Sequence, residues 1–182
     1  MTQPLAFGRK LPRNDWEGDD PPALNFKSCT ASAAGRAVAW ATNGRVDIDG
    51  KTYYLAAPHD LKTGGQTLEQ AALAVQHVAR ALLVIPDACS PADALAYLKA
   101  GTGLVTQGYY GALPRAYRYQ PFADFNHAGW ASHYSPSSGV RWWDPLNPDT
   151  TAYGRWIPWV VYKAFLVSLG SARVGYVPLQ HL

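Results

Sequence analysis

Cys29 is the residue whose type and position most clearly suggest chemistry, because "NFKSCTASAAGRAVAWATNG" places it at the start of a predicted helix. A cysteine attacks as the thiolate, and the unpaired N–H groups at a helix start favour that negative charge. Lys27 adds positive charge two residues upstream, whereas Cys89, in "PDACSPAD", has acidic neighbours. Cys29 is therefore the better candidate nucleophile. A lone cysteine at a helix start is more often a small core residue, so this hypothesis needs a histidine.

Two of the five histidines stand in the segment "HAGWASHYSPSSGVRWWDPL", residues 127–146. His127 and His133 lie on one predicted strand at an even separation, so we expect their side chains on the same face, with only one acting as the base. The other three are more easily surface or packing residues: His59, His77 and His181.

The same segment predicts a β-hairpin, and its register decides which acceptor could orient the imidazole. If the loop centres just before Pro136, His127 faces Asp144; if it centres on Ser137, His127 faces Asn147. Both side chains could fix the imidazole tautomer, and an ordinary hairpin with a polar rim is equally compatible with the pattern. The spacing leaves these alternatives open.

Helices are predicted first along the chain and mainly antiparallel strands afterwards, which is an α+β pattern. Helix caps and stops bound three early helices, over residues 28–43, 67–83 and 90–101. Apolar and polar residues alternate on both sides of Asp49-Gly50, which predicts a short hairpin over residues 45–55. The remaining predicted elements are a strand over 102–113, the hairpin described above, a helix over 158–170 and a strand over 172–179.

Composition indicates one folded domain, with 182 residues of which 48% are hydrophobic. Residues 1–24 are rich in Pro, Gly and Asp and predict an extended arm, which leaves 25–182 as the domain. The net charge of +3, without a run of Lys or Arg, argues against nucleic-acid binding. The sequence shows neither the apolar core of a signal peptide nor an apolar segment long enough to span a membrane, so we expect cytoplasmic synthesis and no membrane partner. Two cysteines cannot form a disulfide framework, although one bridge between Cys29 and Cys89 stays open.

"SCTASAAGRAV" followed by "HAGWASHYSPSSGVRWWDPL" resembles the papain-like cysteine peptidase superfamily, in the branch of bacteriocin-exporter peptidase domains. "PADALAYLKAGTGLVTQGYYGALP" is similar to the segment of that branch in which a helix turns into a strand beside the cleft, and versions with this ending resemble small tailed-phage proteins. The resemblance implies a papain-like α+β fold with the cysteine at a helix start and the histidine and aspartate on an antiparallel sheet.

Position by position, the resemblance implies Cys29 as nucleophile, His127 as general base and acid, and Asp144 as the orienting carboxylate. Asn25 is the nearby amide that would complete an oxyanion hole, although it stands closer to the cysteine than is usual in the family. The aromatic stretch 109–122 would line the substrate groove. The expected substrate contacts are Tyr109, Tyr110 and Trp130.

The function expected on this basis is a thiol hydrolase that cleaves a peptide or amide bond without a metal or cofactor. The substrate would be a peptide, a peptidoglycan cross-bridge or a virion protein. The alternative is a structural virion component of a tail or capsid, incorporated in the phage particle, that keeps a peptidase-like fold without catalysis and docks onto other virion proteins through its arm. An enzyme should lose turnover on substitution of Cys29 or His127, whereas a structural protein should tolerate both changes.

Overall fold

A computed structural model describes residues 11–13, 15–16, 27–56, 65–149 and 153–179. The helices in these ranges are α1 (Cys29–Ala41), α2 (Gly50–Ala56), α3 (Leu68–Ala79), α4 (Pro91–Lys99) and α5 (Trp159–Leu166). The strands are β1 (Leu104–Tyr109), β2 (Asn126–Ser135), β3 (Gly139–Trp143), β4 (Arg155–Ile157) and β5 (Arg173–Tyr176). Short 3-10 turns at Tyr110–Ala112 and Arg115–Tyr117 follow β1.

The five strands form one antiparallel sheet in the order β4-β3-β2-β1-β5. The long strand β2 lies at its centre and pairs with β1 on one side and β3 on the other. Strand β4 has no counterpart among the predicted elements, because its three residues are too short to show a period. The order of helices followed by antiparallel strands confirms the predicted α+β class.

Helices cover both faces of the sheet, and each face has its own hydrophobic core. One core joins α1, α2 and α3 to side chains such as Val105 and Trp130. The other joins α4 and α5 to side chains such as Leu104 and Trp142 on the opposite face. None of the helices in the described ranges is long and apolar enough to cross a membrane.

Helix α1 is buried along its whole length, from Cys29 to Ala41. Five of its first eight residues after the thiol are Ala or Gly, as in "TASAAGRA", and such small side chains let neighbouring backbones approach closely. The helix packs against α2, α3 and β2. The cysteine at its start is therefore fixed by a central element of the fold.

The predicted starts of α3 and α4 are confirmed by capping boxes. The Thr67 hydroxyl accepts the Gln70 N–H, and the Gln70 side chain accepts the Thr67 N–H. Ser90 and Asp93 make the same reciprocal pair at α4, with Pro91 in the first turn. Each box satisfies N–H groups that would otherwise lack a partner at the helix start.

The hairpin predicted over residues 45–55 is wrong, because residues 50–56 form α2. Asp49 does not start a β-turn; its carboxylate accepts the Thr52 N–H at 2.7 Å and so caps the helix. The adjacent Tyr53 and Tyr54 are both buried, which a half-buried strand with alternating side chains would not achieve.

The described part of the predicted arm is attached to the domain. The Pro12 carbonyl accepts the indole N–H of Trp143 at 3.0 Å, and the Arg13 carbonyl accepts a guanidinium N–H of Arg36 at 3.0 Å. The Asp15 carboxylate accepts the backbone N–H of Gly50 at 2.6 Å. Residues 11–13 and 15–16 thus contribute to the packing of the domain, and the rest of the arm lies outside the described residues.

Candidate active site

Cys29 lies at the first residue of α1 and lines a cavity of about 440 Å³. The residue is 8% exposed, and both it and Cys89 are free thiols. Ser28 precedes the helix as predicted, but its side chain makes no capping hydrogen bond. The cysteine is therefore held by a buried helix while its side chain borders an accessible space.

His127 lines the same cavity from the start of β2. Its ring is nearly inaccessible, with 2% of the residue exposed, and its Nε2 lies 2.8 Å from Oδ1 of Asp144. An ionised carboxylate only accepts hydrogen bonds, so the Nε2 proton is donated to Asp144. That tautomer leaves Nδ1, which has no regular hydrogen bond among the described residues, as the nitrogen available to the Cys29 thiol.

The hairpin between β2 and β3 decides between the two predicted registers. Ser135 pairs with Gly139, so the loop centres on Ser137, the alternative that would have placed His127 opposite Asn147. The imidazole nevertheless contacts Asp144.

A β-bulge between Ala131 and His133 reconciles these two observations. Beyond the bulge the register shifts, and Trp130 pairs with Trp143. If this register is continued by one pair, Asp144 lies opposite the residue two positions after His127. His127 and Asp144 are then diagonal neighbours on one face of the sheet, a separation that long side chains can bridge. The bulge therefore re-aims the strand so that carboxylate and imidazole meet.

The prediction that His127 and His133 share a face is wrong because of the same bulge. His127 contacts the ring of Trp142, which belongs to the core beneath α4 and α5. His133 pairs with Arg141 and contacts the ring of Trp156, on the other face. One extra residue in the strand inverts the alternation of side chains. His133 is not among the described residues that line the Cys29 cavity.

Asp144 is almost fully buried and accepts three hydrogen bonds. Its Oδ1 receives the His127 proton and the backbone N–H of Leu146 at 2.9 Å, and its Oδ2 receives the hydroxyl proton of Tyr110 at 2.6 Å. A buried carboxylate needs such donors to remain ionised away from water. The three donors are the Tyr110 hydroxyl, the Leu146 backbone N–H and the His127 imidazole.

Tyr110 was predicted as a substrate contact, and the structure corrects this role. Its side chain is fully buried, its hydroxyl donates to Asp144, and the same oxygen accepts the backbone N–H of Tyr119 at 2.9 Å. Burial first, and then the neighbouring carboxylate, raise the pKa of Tyr110, so the hydroxyl stays protonated as a donor. This contact with Asp144 could not be predicted from the sequence, because nothing in the spacing links residue 110 to residue 144.

The electrostatics of the site favour a charged imidazole. Burial alone would lower the pKa of His127, but the charge and hydrogen bond of Asp144 outweigh it and hold the pKa well above its ordinary value of 6.5. The neighbouring Cys29 side chain raises the pKa of His127 further. The arrangement therefore favours a protonated imidazole beside the Cys29 thiol.

A polar network fixes the first turn of α1 from the other side of the cavity. The Thr30 hydroxyl donates to the Gln66 carbonyl at 2.9 Å. Gln107, on β1, donates from its side-chain amide to the Thr30 hydroxyl at 3.1 Å and to the Gln66 carbonyl at 3.3 Å. These bonds tie β1 and the chain before α3 to the residue next to Cys29.

The remaining predicted substrate contacts do not line the Cys29 cavity. Trp130 is fully buried between Trp40 and Trp143, so the structure corrects its assignment as a substrate contact. Tyr109 is partly exposed, but its hydroxyl donates to Asp124 and its side chain does not border the cavity. No part of the aromatic stretch 109–122 is among the described residues lining that space.

Asn25, the expected oxyanion donor, lies outside the described residues, as do His59 and His181. His77 is in the last turn of α3. In the described ranges, no cluster of three or more His, Cys, Asp or Glu side chains is arranged to hold a metal ion.

Comparisons with known proteins connect this geometry to a fold. No protein-family model matches the sequence, and no curated protein matches it. Among solved structures, a C39-like peptidase from Bacillus anthracis aligns over 100% of this chain and 98% of its own, with a TM-score of 0.58 and 14% sequence identity. The predicted papain-like α+β fold is thereby confirmed: the chain shares the fold of that C39-like peptidase, with a cysteine at a helix start and a histidine and an aspartate on the sheet.

Proposed function

We propose that the protein is a cysteine peptidase or amidase in which Cys29, His127 and Asp144 form a catalytic triad. The observation that carries the proposal is the buried His127–Asp144 hydrogen bond of 2.8 Å, on an imidazole that shares a cavity with a thiol at a helix start. An accidental polar pair at the rim of a hairpin would not need full burial, three donors to one carboxylate and a thiol beside the ring.

The first half of the reaction follows from the proton positions. With Nε2–H directed at Asp144, the Nδ1 lone pair takes the proton of the Cys29 thiol, and the resulting thiolate attacks the carbonyl carbon of the scissile bond. The electron pair moves to the carbonyl oxygen. We propose the Cys29 backbone N–H and the Asn25 amide as donors to that oxyanion.

The second half returns the proton and frees the enzyme. The C–N bond breaks as the imidazolium gives its Nδ1 proton to the leaving amine, which leaves an acyl group on the Cys29 sulfur. Water then attacks this thioester, with His127 removing its proton, and the acid departs as the thiol is regenerated. Asp144 stays ionised throughout and holds the ring in one orientation.

The substrate belongs to the class of peptides and amides, and the motif resemblance suggests where to look first. A screen should include cell-wall peptides and virion proteins, together with an unbiased peptide mixture. New N-termini identified by mass spectrometry would reveal the scissile bond. We expect products with the wild-type protein and none with Cys29→Ala or His127→Ala, each shown by circular dichroism to be folded.

The non-catalytic alternative makes the opposite prediction. A structural virion protein should assemble normally with Cys29→Ala and His127→Ala and should fail when its arm is removed. Because Pro12, Arg13 and Asp15 bond to the domain, the arm residues that the fold requires must be identified before the deletion is chosen. Identical peptide mixtures from wild type and Cys29→Ala would contradict the peptidase proposal.

A further inference from the structure

Arg173 gives the Cys29 cavity a permanent positive charge. Besides Cys29 and His127, the described residues around this space are neutral except for Arg173. The neutral ones include Gln66, Gln107 and Asn126. No carboxylate of the described residues lines it. A cavity of this composition favours an anionic group over a cationic one.

The sheet directs Arg173 toward the cysteine side of the molecule. Arg173 on β5 pairs directly with Gln107 on β1, and directly paired residues project from the same face. The Gln107 amide in turn donates to Thr30, which follows Cys29. The guanidinium therefore stands on the face of the sheet where α1 begins.

The partner of Arg173 holds it only loosely. The guanidinium contacts Glu69 through one nitrogen and one oxygen at 3.5 Å, and the two side chains are 45% and 60% exposed. Exposed single contacts of this kind contribute little to stability. An incoming carboxylate could replace Glu69 with a bidentate contact, which the planar guanidinium prefers.

We propose that Arg173 forms a subsite for an anionic group of the substrate, a carboxylate next to the scissile bond. This inference rests on the proposed function, because it concerns the substrate of the same cysteine. The substrate class would be peptides with an acidic side chain or a terminal carboxylate beside the cleaved bond. Both offer the same chemistry to the guanidinium.

The test compares two alkylating reagents of nearly equal size, anionic iodoacetate and neutral iodoacetamide. The ratio of their rates at Cys29, located by peptide mass spectrometry, reports the potential at the thiol and cancels general effects on its nucleophilicity. In Arg173→Gln we expect the iodoacetate-to-iodoacetamide ratio to fall about two- to fivefold at low salt, the range of an exposed charge interaction. Arg173→Lys should retain most of the ratio.

Two further variants make the result specific. Glu69→Gln removes the competing carboxylate without altering Arg173 and should raise the ratio. Arg80→Gln makes the same charge change just after the far end of α3 and should leave it unchanged. An unchanged ratio in both Arg173→Gln and Glu69→Gln would overturn the proposal.

The source of the carboxylate is distinguished by two longer reagents. Iodoacetyl-glycine carries a terminal carboxylate, and iodoacetyl-glutamate α-amide carries one on its side chain; each is compared with its uncharged amide. One of the two reagents should react faster than its uncharged amide in the wild type but not in Arg173→Gln. That reagent identifies the source of the carboxylate. Failure of the proposed function would look different: iodoacetamide would then label Cys29 no faster than a free thiol, whatever the ratio.

Discussion

The two cysteines occupy similar places in the fold but different chemical environments. Cys29 begins α1, and Cys89 immediately precedes the cap of α4; both are free thiols that border a cavity. The cavity at Cys89 is the larger, at about 610 Å³ against about 440 Å³. Cavity size alone would therefore favour Cys89.

What separates them is the set of groups around each thiol. Burial first, and then the Asp93 carboxylate, raise the pKa of Cys89, so its thiol resists ionisation. The Ser90–Asp93 capping box already satisfies donors at the start of α4. At Cys29 the hairpin supplies an imidazole oriented by a buried carboxylate. A thiol at a helix start becomes a candidate nucleophile when another element delivers its base.

The largest expected effect is the loss of all turnover in Cys29→Ala, since no other group can form the acyl intermediate. Cys89→Ala is the matched control and should retain wild-type turnover. Peptide cleavage assayed by mass spectrometry gives both values. Loss of activity in the Cys89 variant would contradict the assignment of Cys29 alone as the nucleophile.

Asp144→Asn should reduce turnover by on the order of 10³-fold, because the imidazolium loses the charge that stabilises it and the ring loses its fixed tautomer. Asn147→Ala changes the acceptor of the rejected register and should cost less than about fivefold. Steady-state kinetics on the same peptide measure both. Equal losses of turnover in the two variants would mean that the contact of Asp144 with His127 does not contribute to catalysis.

The pH dependence of stability follows from the raised pKa of His127. Folding favours the protonated ring, so this contribution is complete below about pH 6.5, the unfolded value, and is lost as pH rises through the folded value. Urea unfolding should therefore give a smaller free energy of unfolding at pH 9 than at pH 6. Asp144→Asn should flatten that difference, and a wild-type protein more stable at high pH would contradict the assigned direction.

Among the three groups that contact one another at His127, Asp144 and Tyr110, the smallest effect is expected from Tyr110→Phe, which removes one of the three donors to Asp144. It should cost about 1 kcal/mol of stability and about tenfold in turnover. As a positioning residue, Tyr110 should also shift the pH profile of Cys29 alkylation. A stability change without any change in that profile would assign it a structural role only.

Local patterns were sufficient to predict several elements. The capping boxes at Thr67 and Ser90 involve residues three apart, so their physics is visible in the sequence. The helix start at Cys29 and the strands around His127 follow from short periods in the same way. The group that forms the candidate site was predicted from these signals together with the motif resemblance.

Features that depend on distant contacts could not be predicted. The bulge before His133 has no marker such as glycine at its position, yet it decides which acceptor reaches the imidazole. The role of Tyr110 depends on a partner 34 residues away, and the helix at Gly50 is stabilised by Asp15 far upstream as well as by Asp49. Such bonds become visible only when the chain is folded.

The most direct measurement is the rate at which iodoacetamide alkylates Cys29 and Cys89 in the folded protein across pH. We expect fast labelling of Cys29 well below pH 8, slower labelling of Cys89 that increases at higher pH, and loss of the faster Cys29 labelling in His127→Ala. If both thiols react alike, or if Cys29 is unaffected by the loss of His127, no thiolate–imidazolium pair exists and the proposed activity is wrong.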